Sequence, residues 1–165
     1  MSVAPSPPPV RRATIDDLAR FDGKAELIDG RIVELMSTGH RPNFVAGDIF
    51  FSLKVHIKAT GRGIAYTDGI GFVVAELTSR RESFSPDVSY YDGPLPANPM
   101  KFVSGAPTFA VEVRGEGDYG PSAEREMAAK RADYFEAGTL IVWDVDPVSH
   151  LIRSDKADAP TSLVS

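Results

Sequence analysis

Thr108-Phe109-Ala110-Val111-Glu112-Val113-Arg114 sets Phe109, Val111 and Val113 against Ala110, Glu112 and Arg114, the two-residue period of a β-strand with one fully apolar face. A helix is expected next, from Ser122 to Ala137, with Ser122 as N-cap, Glu124 and Glu126 in the first turn and Gly138 as the stop. Leu140 to Asp144 then reads as another strand, which places the chain in the α/β class with one sheet. On a 3.6-residue wheel Ala123, Met127, Tyr134 and Ala137 share a face with Lys130, flanked by Phe135. An ammonium buried there without partners costs several kcal/mol, so carboxylates are expected opposite it.

Asp87 and Glu112 are the candidates. Asp87 follows Pro86 in Phe84-Ser85-Pro86-Asp87-Val88-Ser89-Tyr90-Tyr91, where the proline suits a strand start or edge. Each signal alone has a plain explanation. An Asp after proline is more often a turn or cap residue, and a strand Glu more often sits on a solvated face, here with Arg114 as a possible partner. A lysine at an apolar helix position often extends its ammonium to water. Joint weight comes from the order: an acid, a second acid on a central-looking strand, then a base on the following helix.

Those residues resemble the PD-(D/E)XK nuclease superfamily and, within it, the Uma-two-type restriction endonucleases. The matching pieces are Glu26-Leu27-Ile28-Asp29-Gly30, Ser85-Pro86-Asp87-Val88-Ser89, Val111-Glu112-Val113, Lys130 with Tyr134, and Ala137-Gly138 leading into Val142-Trp143-Asp144-Val145-Asp146-Pro147. The resemblance runs from about Leu18 to Pro147. It implies a restriction-endonuclease-like core, a central mixed β-sheet flanked by helices, with an N-terminal β-hairpin. It also implies Asp87 as the first acid, Glu112 as the second, Lys130 as the lysine displaced onto the helix, and Glu26 as a further acid. Two departures stand out: Arg114 occupies the usual lysine position, where it cannot act as a base, and Gly115 stands where relatives often carry serine.

The chemistry implied is phosphodiester hydrolysis. Asp87 and Glu112 are hard oxygen ligands suited to Mg²⁺ or Mn²⁺, ions that bind through one or two carboxylates and keep several waters. The resemblance adds the Val113 carbonyl as a ligand. Lys130 would orient water or neutralise charge on phosphorus, and Glu26 would position a metal water or a second metal.

The 165 residues, 42% hydrophobic, suffice for one core. Residues 14–154 are expected to form a single domain, 1–13 a disordered proline-rich tail and 155–165 a C-terminal tail. The absence of cysteine excludes disulfides, thiolate nucleophiles and thiolate zinc sites. No stretch approaches the ~20 apolar residues of a membrane span, so a soluble, cytoplasmic protein is expected. A net charge of −5 offers no bulk attraction to a polyanion. Nucleic-acid binding would then fall to local patches, for which Arg11, Arg12, Arg62, Arg80, Arg81, Arg125 and Arg131 are candidates, although scattered solvated charges explain each equally well.

Outside the core strands, Thr14 to Arg20 reads as a short helix capped by Thr14, and Glu26 to Leu35 as a hairpin turning at Asp29-Gly30. A long helix is expected from Pro42 to Ala59, closed by Gly61. Strands are expected at Ile64–Thr67, Ile70–Glu76, around Asp87 and at His150–Ser154. Phe44, Phe51 and Val55 line one side of the long helix while Val45, Ile49, Phe50, Leu53 and Ile57 cover the other. A helix apolar nearly all round needs cover on both sides, which points to a homodimer. His40, His56 and His150 lack metal-ligand spacing, and the loop glycines form no phosphate loop. Two functions are carried forward: an Mg²⁺-dependent endonuclease acting on nucleic acid, most simply DNA, and a nuclease-fold protein that does not cut and serves as a nucleic-acid-binding or protein-interaction subunit.

Overall fold

A computed structural model describes residues 10–164, with side chains through Asp158. Helix α1 (Ile15–Ala19) is closed by a capping box in which Thr14 Oγ1 accepts from the Asp17 N–H at 3.3 Å and Asp17 Oδ2 accepts from the Thr14 N–H at 2.9 Å. Strands β1 (Ala25–Ile28) and β2 (Arg31–Glu34) form the expected hairpin. Asp29 and Gly30 both take positive φ, as its two-residue turn requires. The long helix α2 (His40–Thr60) begins two residues before Pro42 because Gly39 caps it, the Asn43 N–H reaching the Gly39 carbonyl at 3.2 Å. Pro42 stays within the first turn, where its missing N–H costs nothing.

The remaining elements are β3 (Ile64–Tyr66), β4 (Phe72–Val73), β5 (Ser83–Phe84), β6 (Val88–Tyr91), β7 (Val103–Ser104), β8 (Phe109–Val113), α3 (Pro121–Ala137), β9 (Ile141–Asp146), β10 (Leu151–Lys156) and β11 (Ala159–Val164). Among the described residues the central sheet has six strands in the order β11-β10-β9-β8-β6-β3. It is mixed: β8 and β9 run parallel, while the other neighbours are antiparallel. Parallel pairing needs a crossover, and α3 supplies it. A small sheet of order β5-β4-β7 lies apart from the central one.

The period-2 pattern of β8 explains the layering. Val111 and Val113, with Val88 and Val145, form one core against Val45, Ala46, Ile49, Phe50 and Leu53 of α2. Ala110 and Val142 face the other way into a second core with Tyr134 of α3 and with Phe72, Phe84 and Val103 of the small sheet. Glu112 shares the parity of Ala110 and so belongs to the α3 face.

Several boundaries differ from the sequence reading. Helix α3 starts at Pro121 with Gly120 as N-cap, and Ser122 donates its hydroxyl to Glu126 at 3.3 Å instead of capping. The expected strand around Asp87 is two strands: β5 joins the small sheet and β6 the central one, and they part at Pro86, which has no N–H for a ladder. Only Phe72 and Val73 of the segment 70–76 form a strand. Residues 155–165 were expected as a tail, yet β10 continues to Lys156 and β11 pairs with it. Without β11 the outer row of β10 N–H and C=O groups would be left unpaired. The expected tail 1–13 lies outside the described residues up to residue 9. Its end is anchored: the Ala13 N–H donates to the Gly30 carbonyl at 2.7 Å, and Arg12 pairs with Asp29 and Glu76, each at 3.3 Å. Among the described residues no helix is long and apolar enough to cross a membrane.

The β9–β10 turn is organised by Asp146. Its Oδ1 accepts from Tyr119 Oη at 2.8 Å and from the Val148 and Ser149 N–H groups at 2.9 and 3.2 Å, and its Oδ2 accepts from Ser149 Oγ at 2.6 Å. Burial raises the carboxyl pKa, but these hydrogen bonds outweigh it and leave Asp146 well below the usual range. Asp146→Ala should cost about 1–2 kcal/mol in urea denaturation at neutral pH, the scale of a lost turn cap. A carboxylate whose pKa is depressed by folding stabilises above its unfolded value and loses that contribution as pH falls through the folded one. The gap between wild type and variant should therefore narrow below about pH 4.

Candidate active site

The hairpin brings Glu26 to the site by docking β1 beside the segment that leads into β5. Ser83 Oγ accepts the Leu27 N–H at 2.7 Å, while the Glu82 N–H reaches the Leu27 carbonyl at 2.9 Å and the Asp29 N–H the Arg80 carbonyl at 2.7 Å. Glu26, 2% exposed, accepts from the Ser85 N–H at 2.9 Å through Oε1 and from Arg81 Nη1 at 2.5 Å through Oε2. Arg81 continues to Asp133 of α3, Nε to Oδ2 at 2.9 Å, and lies over the Phe84 ring. Phe84 in turn stacks on Tyr134 with ring centroids 4.2 Å apart.

Lys130 closes this network. Its Nζ stands 3.1 Å from Glu26 Oε1 and 2.8 Å from Glu112 Oε1, and Tyr134, one helical turn on, donates its hydroxyl to the same Glu112 oxygen at 2.6 Å. Glu112 Oε2 makes no hydrogen bond among the described residues. Burial would lower the Lys130 pKa, but attraction to Glu112 and Glu26 outweighs it and holds the amine above its usual value, as an ammonium. Burial pushes Glu112 up, opposed by Lys130 and aided by the neighbouring carboxylates of Asp87 and Glu26. For Glu26 the burial effect is overcome by Lys130, Arg81 and the Ser85 N–H, which hold it below the usual carboxylate range.

Asp87 enters from the adjacent strand. The last paired residues of β6 and β8 are Val88 and Val111, and Asp87 and Glu112 follow one step beyond them on neighbouring strands. Asp87 Oδ2 accepts from the Val113 N–H at 2.8 Å, so the backbone of residue 113 lies against it. Its Oδ1 is 3.1 Å from Lys24 Nζ, which also contacts Asp68 at 2.5 Å. Glu26, Asp87, Glu112, Val113, Lys130 and Tyr134 line one cleft of about 940 Å³.

The structure thus brings Glu26, Glu112 and Lys130 into direct contact and sets Asp87 beside them, with Lys24 and not Lys130 as its cation. Arg114 does not pair with Glu112: it forks onto Asp144, Nε to Oδ1 and Nη2 to Oδ2 both at 2.8 Å, and also engages Glu124. The sequence reading missed Lys24, Asp68, Asp133 and the buried role of Arg81. Asp133 had a signal, lying three residues from Lys130 on the same helical face; Lys24 and Arg81 sit in charged, aperiodic stretches and carried none. Most of the proposed basic patch is internally paired: Arg11 with Asp17, Arg12 with Asp29, Arg62 with Asp92, Arg80 with Asp29, Arg81 with Glu26, and Arg131 with Asp144 and Asp155.

Among the described residues no three His, Asp or Glu side chains form a ready metal cage. The donor set nevertheless suits a hydrated divalent ion, which needs only one or two carboxylates. The ion pairs fall into two groups at the cleft, Asp68 and Asp87 around Lys24, and Glu26, Glu112 and Asp133 around Lys130 and Arg81, each with one more carboxylate than cations.

Comparison with known proteins places the chain. It belongs to the Uma2 family, described as "Putative restriction endonuclease", whose model matches residues 14–156. Among solved structures it is similar to the crystal structure of a "putative nuclease belonging to DUF820" from Anabaena variabilis, with TM-score 0.71 and 15% identity over 91% of this chain and 83% of that one. No curated protein matches. The family points to a nuclease, with nucleic acid as the implied substrate, and the likeness to the solved structure shows the fold.

Arg81 is the one cation shared by Glu26 and Asp133. Arg81→Met should cost about 3–5 kcal/mol in urea denaturation, because it strands the buried Asp133 and leaves Glu26 with Lys130 as its remaining cation. Adding Glu26→Gln should recover part of that loss, a coupling that a double-mutant cycle measures.

Proposed function

We propose that this protein is a divalent-cation-dependent endonuclease that hydrolyses phosphodiester bonds of DNA, with Mg²⁺ or Mn²⁺ held by Asp87, Glu112 and the Val113 carbonyl. The observation that carries the reading is the Lys130 ammonium fixed between Glu26 and Glu112 in the cleft that Asp87 also lines. When bound, the cation would polarise a phosphoryl oxygen and lower the pKa of its water. Lys130 supplies a fixed positive charge that favours the negative charge developing on the phosphoryl oxygens. Glu26 has both oxygens committed, so its part is to aim Lys130. Tyr134 orients Glu112, leaving Oε2 toward the ligand role.

The internal pairing of most candidate arginines favours a second reading, a nuclease-fold subunit that binds partners without cutting. We also infer a homodimer. Phe44, Phe51 and Val55 are 61%, 69% and 54% exposed along the outer side of α2. Two copies crossing antiparallel at Phe51 would set Asp48 of each helix against Lys54 of the other, since both lie three residues from the crossing point.

Wild type should cut plasmid DNA with Mg²⁺ or Mn²⁺ and not with chelator, and Asp87→Asn and Lys130→Gln should each lose at least about 100-fold in rate while melting as folded proteins. Failure of wild type to cut plasmid or single-stranded DNA, or equal cutting by the variants, would overturn the proposal; oligonucleotide binding without cutting would favour the second reading. In analytical ultracentrifugation the wild type should sediment at twice the 17.8 kDa protomer mass, and Phe51→Glu at the protomer mass.

A further inference from the structure

Lys24 is not used by the chemistry above, yet it holds one of the two principal carboxylates. It stands just before β1, where the Leu35 N–H donates to its carbonyl at 2.9 Å, and its side chain is 18% exposed. The ammonium lies between Asp68 Oδ1 at 2.5 Å and Asp87 Oδ1 at 3.1 Å. The other Asp87 oxygen is already committed to the Val113 N–H at 2.8 Å. Oδ1 is therefore the oxygen through which Asp87 would ligate a cation, and Lys24 occupies its approach.

We propose that Lys24 is a built-in competitor for Asp87: its ammonium and a divalent cation contend for Oδ1, and Asp68 receives the ammonium when the cation takes it. This rests on the metal-dependent reading of the cleft. The physical basis is like-charge repulsion within a few ångströms in a partly buried cleft, where screening by water is weak. The pair with Asp68 is shorter than the pair with Asp87, so the lysine keeps an anchor when Asp87 is surrendered. Lys24 is a positioning residue in this arrangement. It sets how much cation is needed before Asp87 is free to ligate, and once displaced it leaves a positive charge at the rim of the cleft for a substrate phosphate.

The test reads metal binding, not turnover. Full-length wild type, Lys24→Met, Lys24→Gln and Lys24→Arg would be titrated with Mn²⁺, with free ion followed by electron paramagnetic resonance and folding checked by thermal melting. Removing the charge in Lys24→Met should tighten Mn²⁺ binding about tenfold, within the range expected for one charge near a partly screened site. Lys24→Gln, which can still hydrogen-bond to Asp68, should tighten it in the same direction and serves if the methionine variant does not fold. Lys24→Arg keeps the charge and should bind as wild type does or more weakly. Equal or weaker Mn²⁺ binding by both neutral variants, with wild type binding, would overturn the competitor role and leave the metal-dependent reading standing. Absence of Mn²⁺ binding in wild type and in both neutral variants would overturn both. Binding seen only in the neutral variants would support the competitor role in its strongest form.

Discussion

A lysine ammonium held between two carboxylates organises this molecule. Lys130 touches Glu26 from the hairpin and Glu112 from the central sheet, and its charge offsets part of the cost of holding both acids at that depth, Glu26 having Arg81 as a second cation. The helix that carries Lys130 is also the crossover that makes β8 and β9 parallel. Its Tyr134 is both core and site, fully buried against Phe84 on one side and hydrogen-bonded to Glu112 on the other. Packing and electrostatics are therefore not separable here, and a change that shifts α3 disturbs both.

The arrangement also bears on how an acidic chain could serve the function proposed above. The two ion-pair groups around Asp87 and Glu112 each keep one more carboxylate than cations, and a divalent cation, if bound as proposed, would moderate repulsion of a phosphate. Arg114 is committed to Asp144 and Glu124 and ties β8 to β9 and α3. The amine beside Glu112 comes from the helix, as Lys130.

Much of this was legible in the sequence where periodicity was strong. The alternation in β8 placed Glu112 on the face opposite Val111 and Val113, and the wheel of α3 put Lys130 beside Tyr134, as the structure has them. The Asp29-Gly30 turn and the Thr14 cap were equally readable because each needs particular residue types. What escaped depended on contacts remote in the chain. Arg81 reads as a loop charge and is buried where β1 docks beside it, and Lys24 gains its ion pairs from Asp68, about 40 residues onward, and Asp87, 63 residues onward. The strand β11 was missed because Ala159-Pro160-Thr161 interrupts any alternation; it forms because the edge of β10 has groups to satisfy.

The charges of the cleft come from points as far apart as residues 24 and 133, and the last to arrive is carried by α3. A chain still emerging from the ribosome has Glu26, Arg81, Asp87 and Glu112 before it has Lys130. No shorter nascent segment can assemble the constellation, and proteolytic fragments that separate the hairpin from α3 would be inert for the same reason. Long-range closure of this kind makes folding slower than a local arrangement would, and the cleft's charge pattern exists only once the fold is finished.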